Sequence, residues 1–243
     1  MNRYSIFPLG DSGITIDLGN TIDEQLNVKA LAIHNWLDTH PFPGRQDIIM
    51  AYSSVTMLYD PTELAASGIP GAAGAYEWLE GLLHRAWQET DAAGVLKDWL
   101  GEGRVVDIPV CYDAGFAPDM QWVATQKGLS PEEVIALHTG EVYRVYMLGF
   151  LPGFPYLGKL DQRLQISRKP APVPVAGGGV GIAGMQTGIY SLNSPGGWQI
   201  IGRTPMSLFD RDNSPPVRLQ AGDKVRFHAI SAKEYRQLAS RPA

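Results

Sequence analysis

The chain of 243 residues is long enough for one large domain or two smaller ones, and its 44% hydrophobic content is typical of globular proteins. Twenty Lys and Arg stand against 25 Asp and Glu, a formal net charge of −5 that excludes the broad basic surface required for nucleic-acid binding. A single cysteine excludes an internal disulfide, and no run approaches the ~18 apolar residues of a membrane span. We therefore expect no nucleic acid and no membrane among its partners. The start "MNRYSIFPLGDSG" lacks the apolar region of a signal peptide, which predicts a cytoplasmic location.

The first hundred residues alternate between strand and helix patterns. Short strands are predicted at "YSIFPLG", "GITIDLG", "DIIMAY" and "VTMLYD", whereas "PTELAASGIPGAAG" is predicted to be a loop. One helix follows the first strand pair, with Thr21 and Glu24 at capping-box spacing, and a second carries Tyr76 to Trp87. The order strand, strand, helix, strand, strand, helix predicts an α+β domain, a split βαβ-like sheet with helices on one face.

The pattern changes near residue 103, which predicts an N-terminal domain over 1–102, with a linker at its end, and a second domain over 103–243. The best-specified helix of the second domain is "SPEEVIALHTG", in which Ser130 caps the helix, Glu133 completes the capping box and Gly140 ends it. A short helix is also predicted from Pro118. Short strands separated by Gly and Pro turns follow at "EVYRVYML", "GVGIAG", "GIYSLN", "GWQIIGRT", "MSLFD" and "KVRFHAI". This mainly-β pattern favours a closed barrel, followed by a last helix capped by Ser231.

Several motifs suggest chemistry that their context rejects. Gly179, Gly181 and Gly184 satisfy the dinucleotide spacing G-x-G-x-x-G, but "MQTGIYSLNSPGG" follows where a helix would have to hold the pyrophosphate. "GDSG" around Ser12 fits a turn between strands better than a serine nucleophile. The chain has no phosphate-binding P-loop, and its five histidines show no metal-ligand spacing, so no metal is predicted. Cys111 is predicted to be a small buried hydrophobe.

Polar side chains beside the glycine-rich turns are better candidates for a site. Gln186 and Thr187 follow "GIAG", Asn193 precedes "SPGGW", and Arg203 closes "QIIGR". The rigid fork of Arg203 suits a carboxylate or a phosphate, although a simple pairing with Asp210 or another acid explains it equally well. His138, at the end of the capped helix, is either structural or functional.

One short and two long segments resemble a known family. They read "IPVCYD", then "FAPDMQWVATQKGLSPEEVIALHTGEVYRVYMLGFLPGFPYLGKLD", and "VGIAGMQTGIYSLNSPGGWQIIGRTPMSLFD". They resemble the family of the 5-oxoprolinase B subunit, also called the kinase A inhibitor KipI or allophanate hydrolase subunit 1 family. The resemblance is dense over about residues 104 to 230 and weaker towards the N-terminus. It implies an α+β N-terminal domain and a cyclophilin-like β-barrel in the C-terminal half.

The resemblance also implies an activity. The family is taken to act with a C subunit of 5-oxoprolinase, similar to allophanate hydrolase subunit 2, and with an A subunit that is a hydrolase. The complex opens 5-oxo-L-proline to L-glutamate and hydrolyses ATP, and an isolated B subunit would be inactive. Positions in the matched motifs imply catalytic roles for His138, Gln186 and Arg203. They imply substrate or phosphate binding by Arg144, Lys159, Thr187 and Asn193.

Two further functions stay open. One is a regulatory module that inhibits a sensor histidine kinase, as described for family members. The other is the carboxyltransferase half of a biotin-dependent urea carboxylase system, although the chain carries no biotinylation signature.

The stretch "GFLPGFPYLG" at 149–158 combines large apolar residues with a backbone that prolines and glycines keep from regular structure. We expect an ordered loop that presents Phe150, Phe154 and Tyr156 to the C subunit, or, as the alternative, an internal plug of the barrel.

Overall fold

The computed structural model describes residues 4–19, 21–69, 74–92 and 103–240, with side chains described up to residue 90 in the third range. The chain divides into two compact units, Met1–Gly103 and Arg104–Ala243. The predicted boundary between residues 102 and 103 adjoins the segment 93–102, which lies outside the described residues.

The first unit is an antiparallel sheet with its helices on one face. Its elements are β1 Ser5–Pro8, β2 Gly13–Asp17, α1 Glu24–Asp38, β3 Arg45–Met50, β4 Ser54–Tyr59, α2 Pro61–Ala66 and α3 Gly74–Ala92. The strand order is β1-β2-β4-β3, so β4 separates β2 from β3 while α1 connects them. This arrangement confirms the predicted split βαβ unit. Helices α1 and α3 pack on each other and on the sheet around a core that includes Ile16, Ile33, Met57 and Leu83.

Two local predictions in this unit are wrong. The cap of α1 is Asp23, not Thr21, because its carboxylate accepts hydrogen bonds from the backbone N–H groups of Gln25 and Leu26 at 2.8 and 3.1 Å. The stretch from Pro61 was predicted to be a loop and instead begins α2. Asp60 caps this helix and the proline occupies a first-turn position, where its missing N–H is not needed.

The second unit is a closed barrel of seven strands. Its elements are β5 Val105–Cys111, α4 Met120–Lys127, α5 Pro131–Thr139, β6 Val142–Leu148, β7 Pro155–Gly158, β8 Val173–Val175, β9 Gly179–Ala183, β10 Gln186–Ile189, β11 Ser194–Gly196, β12 Gln199–Arg203, β13 Lys224–Ile230 and α6 Ala232–Ala239. The order around the barrel is β10-β7-β6-β13-β5-β12-β9, and β9 pairs with β10 to close it. Strands β5 and β13 run parallel, and β8 pairs with β11 as a separate ribbon.

Most of the predicted signals in this half are confirmed. Ser130 and Glu133 form the capping box of α5, and Ser231 and Glu234 form that of α6. Cys111 is buried on β5, and burial raises the pKa of its thiol. The predicted strand "MSLFD" is wrong, since only a single bridge, between Phe209 and Val217, forms there.

A histidine lies in the middle of the barrel core. His138 has no exposed surface; its Nδ1 lies 2.8 Å from the Tyr112 hydroxyl and its Nε2 lies 2.9 Å from Thr187 Oγ1. Thr187 donates its own hydroxyl to the Gly181 carbonyl at 3.1 Å, so it accepts from His138 Nε2–H, and Nδ1 accepts from Tyr112. Phe227 stacks on the ring at 4.5 Å between centroids. Burial lowers the pKa of His138 from 6.5 to about 3, which keeps the imidazole neutral.

The buried imidazole predicts an acid-sensitive stability. Between pH 6.5 and pH 3 the unfolded chain binds a proton at His138 and the folded chain does not. The free energy of unfolding should therefore fall as the pH falls, by up to about 1.4 kcal/mol per pH unit from this group. Urea unfolding measured from pH 7 to pH 4 should give a flatter pH dependence for His138→Gln, which cannot titrate, than for the wild-type chain. Equal slopes would contradict the assignment, whatever the stability of the variant at pH 7.

Candidate functional site

A cleft of about 480 Å³ opens beside the barrel, between the 115–119 loop, β8 and the neighbouring ends of β9 and β12. Its walls are largely apolar and include Phe116, Val175 and Ile200. Tyr235 packs behind Phe116 with ring centroids 4.4 Å apart. Burial raises the pKa of Tyr235, while the nearby Arg203 charge acts in the opposite direction. Volume and lining are those of a small-molecule site, which typically spans ~300–1,000 Å³.

An ion pair forms one side of the cleft. Lys169 Nζ lies 2.5 Å from Asp119 Oδ2, and both side chains are less than one-fifth exposed. The same oxygen accepts a hydrogen bond from the backbone N–H of Ile200 at 2.6 Å. Asp119 occupies the N-cap position of α4 but makes no side-chain cap hydrogen bond. The helix thus lacks a contact typically worth ~1 kcal/mol, because the carboxylate is turned towards the cleft.

Arg203 forms the other charged side of the cleft. Its Nε donates to the Gly177 carbonyl at 2.9 Å, and the N–H of Gly177 donates to Asn193 Oδ1 at 2.7 Å. Arg203 and Asn193 thus meet at one glycine, as their positions beside neighbouring turns suggested. Among the described residues no acid forms an ion pair with Arg203, and Asp210 instead bonds Asn213 and the Asp212 N–H. Within the described part of the chain, the guanidinium is therefore a cation of the cleft that no acid compensates.

A second, open depression of about 540 Å³ adjoins the cleft across β8. Residues 174–176 line both spaces, and Asn193, Ser194 and Pro195 complete the second one. The Ser194 hydroxyl is buried and has no hydrogen-bond partner within the described part of the chain. A buried hydroxyl without a partner is uncommon and is typical of a position that a ligand or a water satisfies.

Three other predicted residues lie at the opposite end of the barrel. Gln186 pairs with Ala183 at one end of β9, whereas Arg203 pairs with Gly179 at the other, about 13 Å away along the strand. Lys159 is exposed and follows Gly158, which pairs with the buried Arg144 on β6. The barrel register therefore separates Gln186, Lys159 and Arg144 from the cleft.

His138 and Thr187 occupy a third place, the barrel core. Both are completely buried, and their hydrogen bonds are made to one another, to Tyr112 and to Gly181. A side chain in the core cannot exchange a proton with a ligand in the cleft. The structural alternative for His138 is thus the one that its surroundings favour, and the predicted catalytic residues do not form one cluster.

The glycine-rich stretch around β9 allows neighbouring side chains to pack closely against the strand. A Cβ on Gly179 would come within 2.9 Å of Val175 Cγ1, and one on Gly181 would come within 3.1 Å of Ile200 Cδ1 and Trp198 Cβ. These glycines lie within β9, and a turn leads directly into β10, so no helix follows them in the chain as the dinucleotide motif requires. The stretch with dinucleotide-motif spacing is therefore a strand on which other residues pack closely.

The stretch 149–158 was predicted to be a loop, which is wrong for its second half, because Pro155–Gly158 forms β7 and pairs with β6 and β10. Pro155 is the first residue of that strand, where a proline is tolerated. The stretch divides its aromatic residues between interior and surface. Phe154 is 1% exposed and packs edge-on against Tyr190 and Trp198, so it presents no surface to a partner. Tyr156 is partly buried on the same cluster. Phe150 is 61% exposed, with φ at 67°, a left-handed conformation that is unusual for a bulky residue. Of the predicted interface residues, the aromatic ring that faces solvent is that of Phe150.

Sequence reasoning missed Asp119 and Lys169. An aspartate directly before a helix is typical of a cap, and fifty residues separate the two partners. The missing cap contact is visible only in the folded chain. In the described ranges, no group of His, Cys, Asp and Glu is suited to hold a metal ion. Within those ranges, no helix has the length and apolar character needed to cross a membrane.

Comparison with known proteins places this architecture in a family. The family model for the carboxyltransferase domain, subdomain C and D, matches residues 4–219. The B subunit of 5-oxoprolinase from Bacillus subtilis (strain 168) is 44% identical over 234 residues, which cover 96% of this chain and 95% of that protein. The protein of the same name from Escherichia coli O157:H7 is 36% identical over 231 residues, which cover 93% of this chain and 96% of that protein.

A solved structure gives the same result. That of TTHA0988 aligns with a TM-score of 0.74 at 37% identity over 90% of this chain. The match covers 40% of the TTHA0988 chain, so the present chain spans less than half the length of that relative. The chain therefore belongs to the carboxyltransferase-domain family of subdomains C and D and, within it, to the family of the 5-oxoprolinase B subunit.

Proposed function

We propose that this chain is a subunit of an ATP-dependent 5-oxoprolinase, which opens 5-oxo-L-proline to L-glutamate. The observation that carries the proposal is the near full-length similarity to two proteins named as the B subunit of 5-oxoprolinase. The cleft supports it, because 5-oxoproline is a small carboxylate and Arg203 is a cation without an acidic partner among the described residues.

Coupling to ATP follows from the chemistry of the substrate. The five-membered lactam is a resonance-stabilised amide and a poor electrophile, and phosphorylation of its oxygen makes the ring carbon open to attack by water. Charge develops on the transferred phosphoryl group, which requires cationic donors around it. The glycine-rich strand β9 is followed by another strand and not by the helix of a dinucleotide site, so we propose that ATP is used by the assembled complex.

The proposed partners are a C subunit, similar to allophanate hydrolase subunit 2, and an A subunit that is a hydrolase. Two observations support a chain that works in an assembly. The relatives carry the name of a subunit, and TTHA0988 holds the matched segment within a longer single chain. Exposed Phe150, held in an uncommon backbone conformation, is our candidate contact for the C subunit.

The proposed site residues divide between two surfaces. Arg203 and Asn193 serve the cleft, where they meet at Gly177. Gln186 and Lys159 lie at the other end of the barrel, so in this proposal they bind phosphate or a partner on a separate surface.

Carboxyl transfer is a second candidate, which the name of the matching family model favours. The two functions differ in their need for biotin. Avidin, which sequesters biotin, would stop carboxyl transfer and leave lactam opening unaffected.

An omission assay tests the leading proposal. The chain is combined with the candidate A and C subunits, and glutamate release from 5-oxoproline is followed with and without ATP. We expect glutamate only with ATP and all three chains present, and undiminished release in the presence of avidin. Full activity without the present chain would remove it from the enzyme.

Replacement of Arg203 tests the cleft within that complex. Arg203→Ala should lower kcat/KM for 5-oxoproline by at least about tenfold, since a hydrogen-bonded charge contact is lost, and Arg203→Lys should lose less. Arg226→Ala is the matched control, because it removes an exposed arginine that pairs with Asp107 at 2.6 Å on neighbouring strands of the same barrel. Unchanged turnover of Arg203→Ala would place the substrate elsewhere.

Replacement of Phe150 tests the partner surface. Asparagine tolerates the left-handed backbone conformation, so Phe150→Asn removes the ring without adding strain. We expect at least about tenfold weaker binding of the C subunit, measured by titration calorimetry, with an unchanged melting temperature. Trp122→Gln, which removes another half-exposed aromatic ring from α4, is the control and should leave binding intact. Equal affinity for Phe150→Asn and the wild-type chain would rule out this contact.

A further inference from the structure

We propose that Asp119 and Lys169 bind the amide edge of the lactam in the cleft beside β8, while Arg203 binds its carboxylate. The inference rests on the proposed function for the substrate, and the roles of Asp119 and Lys169 are argued from the cleft itself. It makes Asp119 and Lys169 the specificity-determining residues.

The charges of the cleft favour a ligand with a single negative charge. Lys169 is neutralised by Asp119 at 2.5 Å, whereas Arg203 bonds only a neutral carbonyl among the described residues. The three side chains together leave one positive charge, which one carboxylate balances. A dianion would leave one negative charge uncompensated in a largely apolar space.

The ion pair presents a donor beside an acceptor. Asp119 uses Oδ2 for both Lys169 and the Ile200 N–H, which leaves Oδ1 as an acceptor without a partner in the described chain. Lys169 has three ammonium hydrogens, of which the pair occupies one. The two side chains therefore offer an acceptor next to a donor on one side of the cleft.

A lactam matches that edge and a linear amide does not. A five-membered ring forces its amide to be cis, so the N–H and the C=O point to the same side. A linear amide is almost always trans, and its N–H and C=O point to opposite sides. Asp119 Oδ1 can accept the lactam N–H while Lys169 donates to the lactam oxygen. The methylene groups of the ring then lie against the apolar wall that includes Val175 and Ile200.

The proposed role also explains why Asp119 makes no hydrogen bond to cap its own helix. It stands at the N-cap of α4 without capping the helix. Its carboxylate is held by Ile200 on β12 and by Lys169, so the acceptor is fixed in place before a ligand arrives. Preorganised polar groups of this kind discriminate strongly, because a wrong ligand leaves them unpaired.

A ligand series tests the inference on the full-length chain by NMR titration. The ligands are 5-oxoproline, N-acetylglycine as a linear amide with a carboxylate, cyclopentanecarboxylate, which lacks the amide, and 2-pyrrolidinone, which lacks the carboxylate. We expect 5-oxoproline to bind at least about tenfold more tightly than each of the others, with shifts at the Ile200 and Gly177 amides.

Substitutions in the cleft identify the groups that recognise the amide of the ligand. Asp119→Asn and Lys169→Gln should each reduce the preference for 5-oxoproline over cyclopentanecarboxylate to less than about threefold. Arg203→Gln should weaken the binding of all three carboxylates and leave that of 2-pyrrolidinone unchanged. Asp161→Asn, which breaks an exposed pair with Arg163 in the same domain, is the control and should keep the full preference. The preference ratio is the readout, because a variant that merely loosens the fold would weaken all four ligands alike.

The outcomes separate this inference from the proposed function. Equal binding of all four ligands, no binding, or a ratio unchanged in Asp119→Asn would overturn the inference, even if the assembled complex releases glutamate. Selective binding together with an inactive complex would uphold the cleft assignment and overturn the proposed reaction.

Discussion

The pairing of β9 with both β10 and β12 is the constraint on which the second unit depends. It closes the barrel, and it requires a strand on which other residues can pack very closely. Gly179 and Gly181 meet that requirement, because a Cβ at either position would crowd Val175, Trp198 or Ile200. The ribbon of β8 and β11 can therefore lie against the barrel, and the cleft forms where the ribbon meets the end of β12. Closure also sends Gln186 and Arg203 to opposite ends of β9.

The two surfaces to which we assign function, the cleft and the exposed ring of Phe150, contain local exceptions that the tertiary structure compensates. Asp119 stands where a helix cap is expected and instead holds Lys169 and the backbone of Ile200. Phe150 adopts a left-handed conformation that bulky residues avoid, and its ring contacts Phe154 and Tyr190 edge-on. Departures of this kind concentrate at functional positions, since a purely structural site gains nothing from them.

The buried polar chain of the barrel has a different role. Tyr112, His138, Thr187 and Gly181 form one hydrogen-bonded series inside an otherwise apolar core, with a consistent donor direction throughout. A satisfied network of this kind fixes the packing of α5 against the barrel, and a half-satisfied one would destabilise it. Such a histidine is informative about stability in acid and says little about catalysis.

The sequence by itself determined the α+β and barrel classes, the split βαβ unit and the caps of α5 and α6, because periodicity and capping depend on neighbouring residues. Its long motifs also identified the family. Only the tertiary structure decided which polar residues meet. Arg203 and Asn193 converge at Gly177, Gln186 lies about 13 Å from Arg203 along β9, and His138 is buried. Asp119 and Lys169 are brought together across fifty residues. Strand register and barrel closure set these distances, and neither leaves a signal in the local pattern of residues.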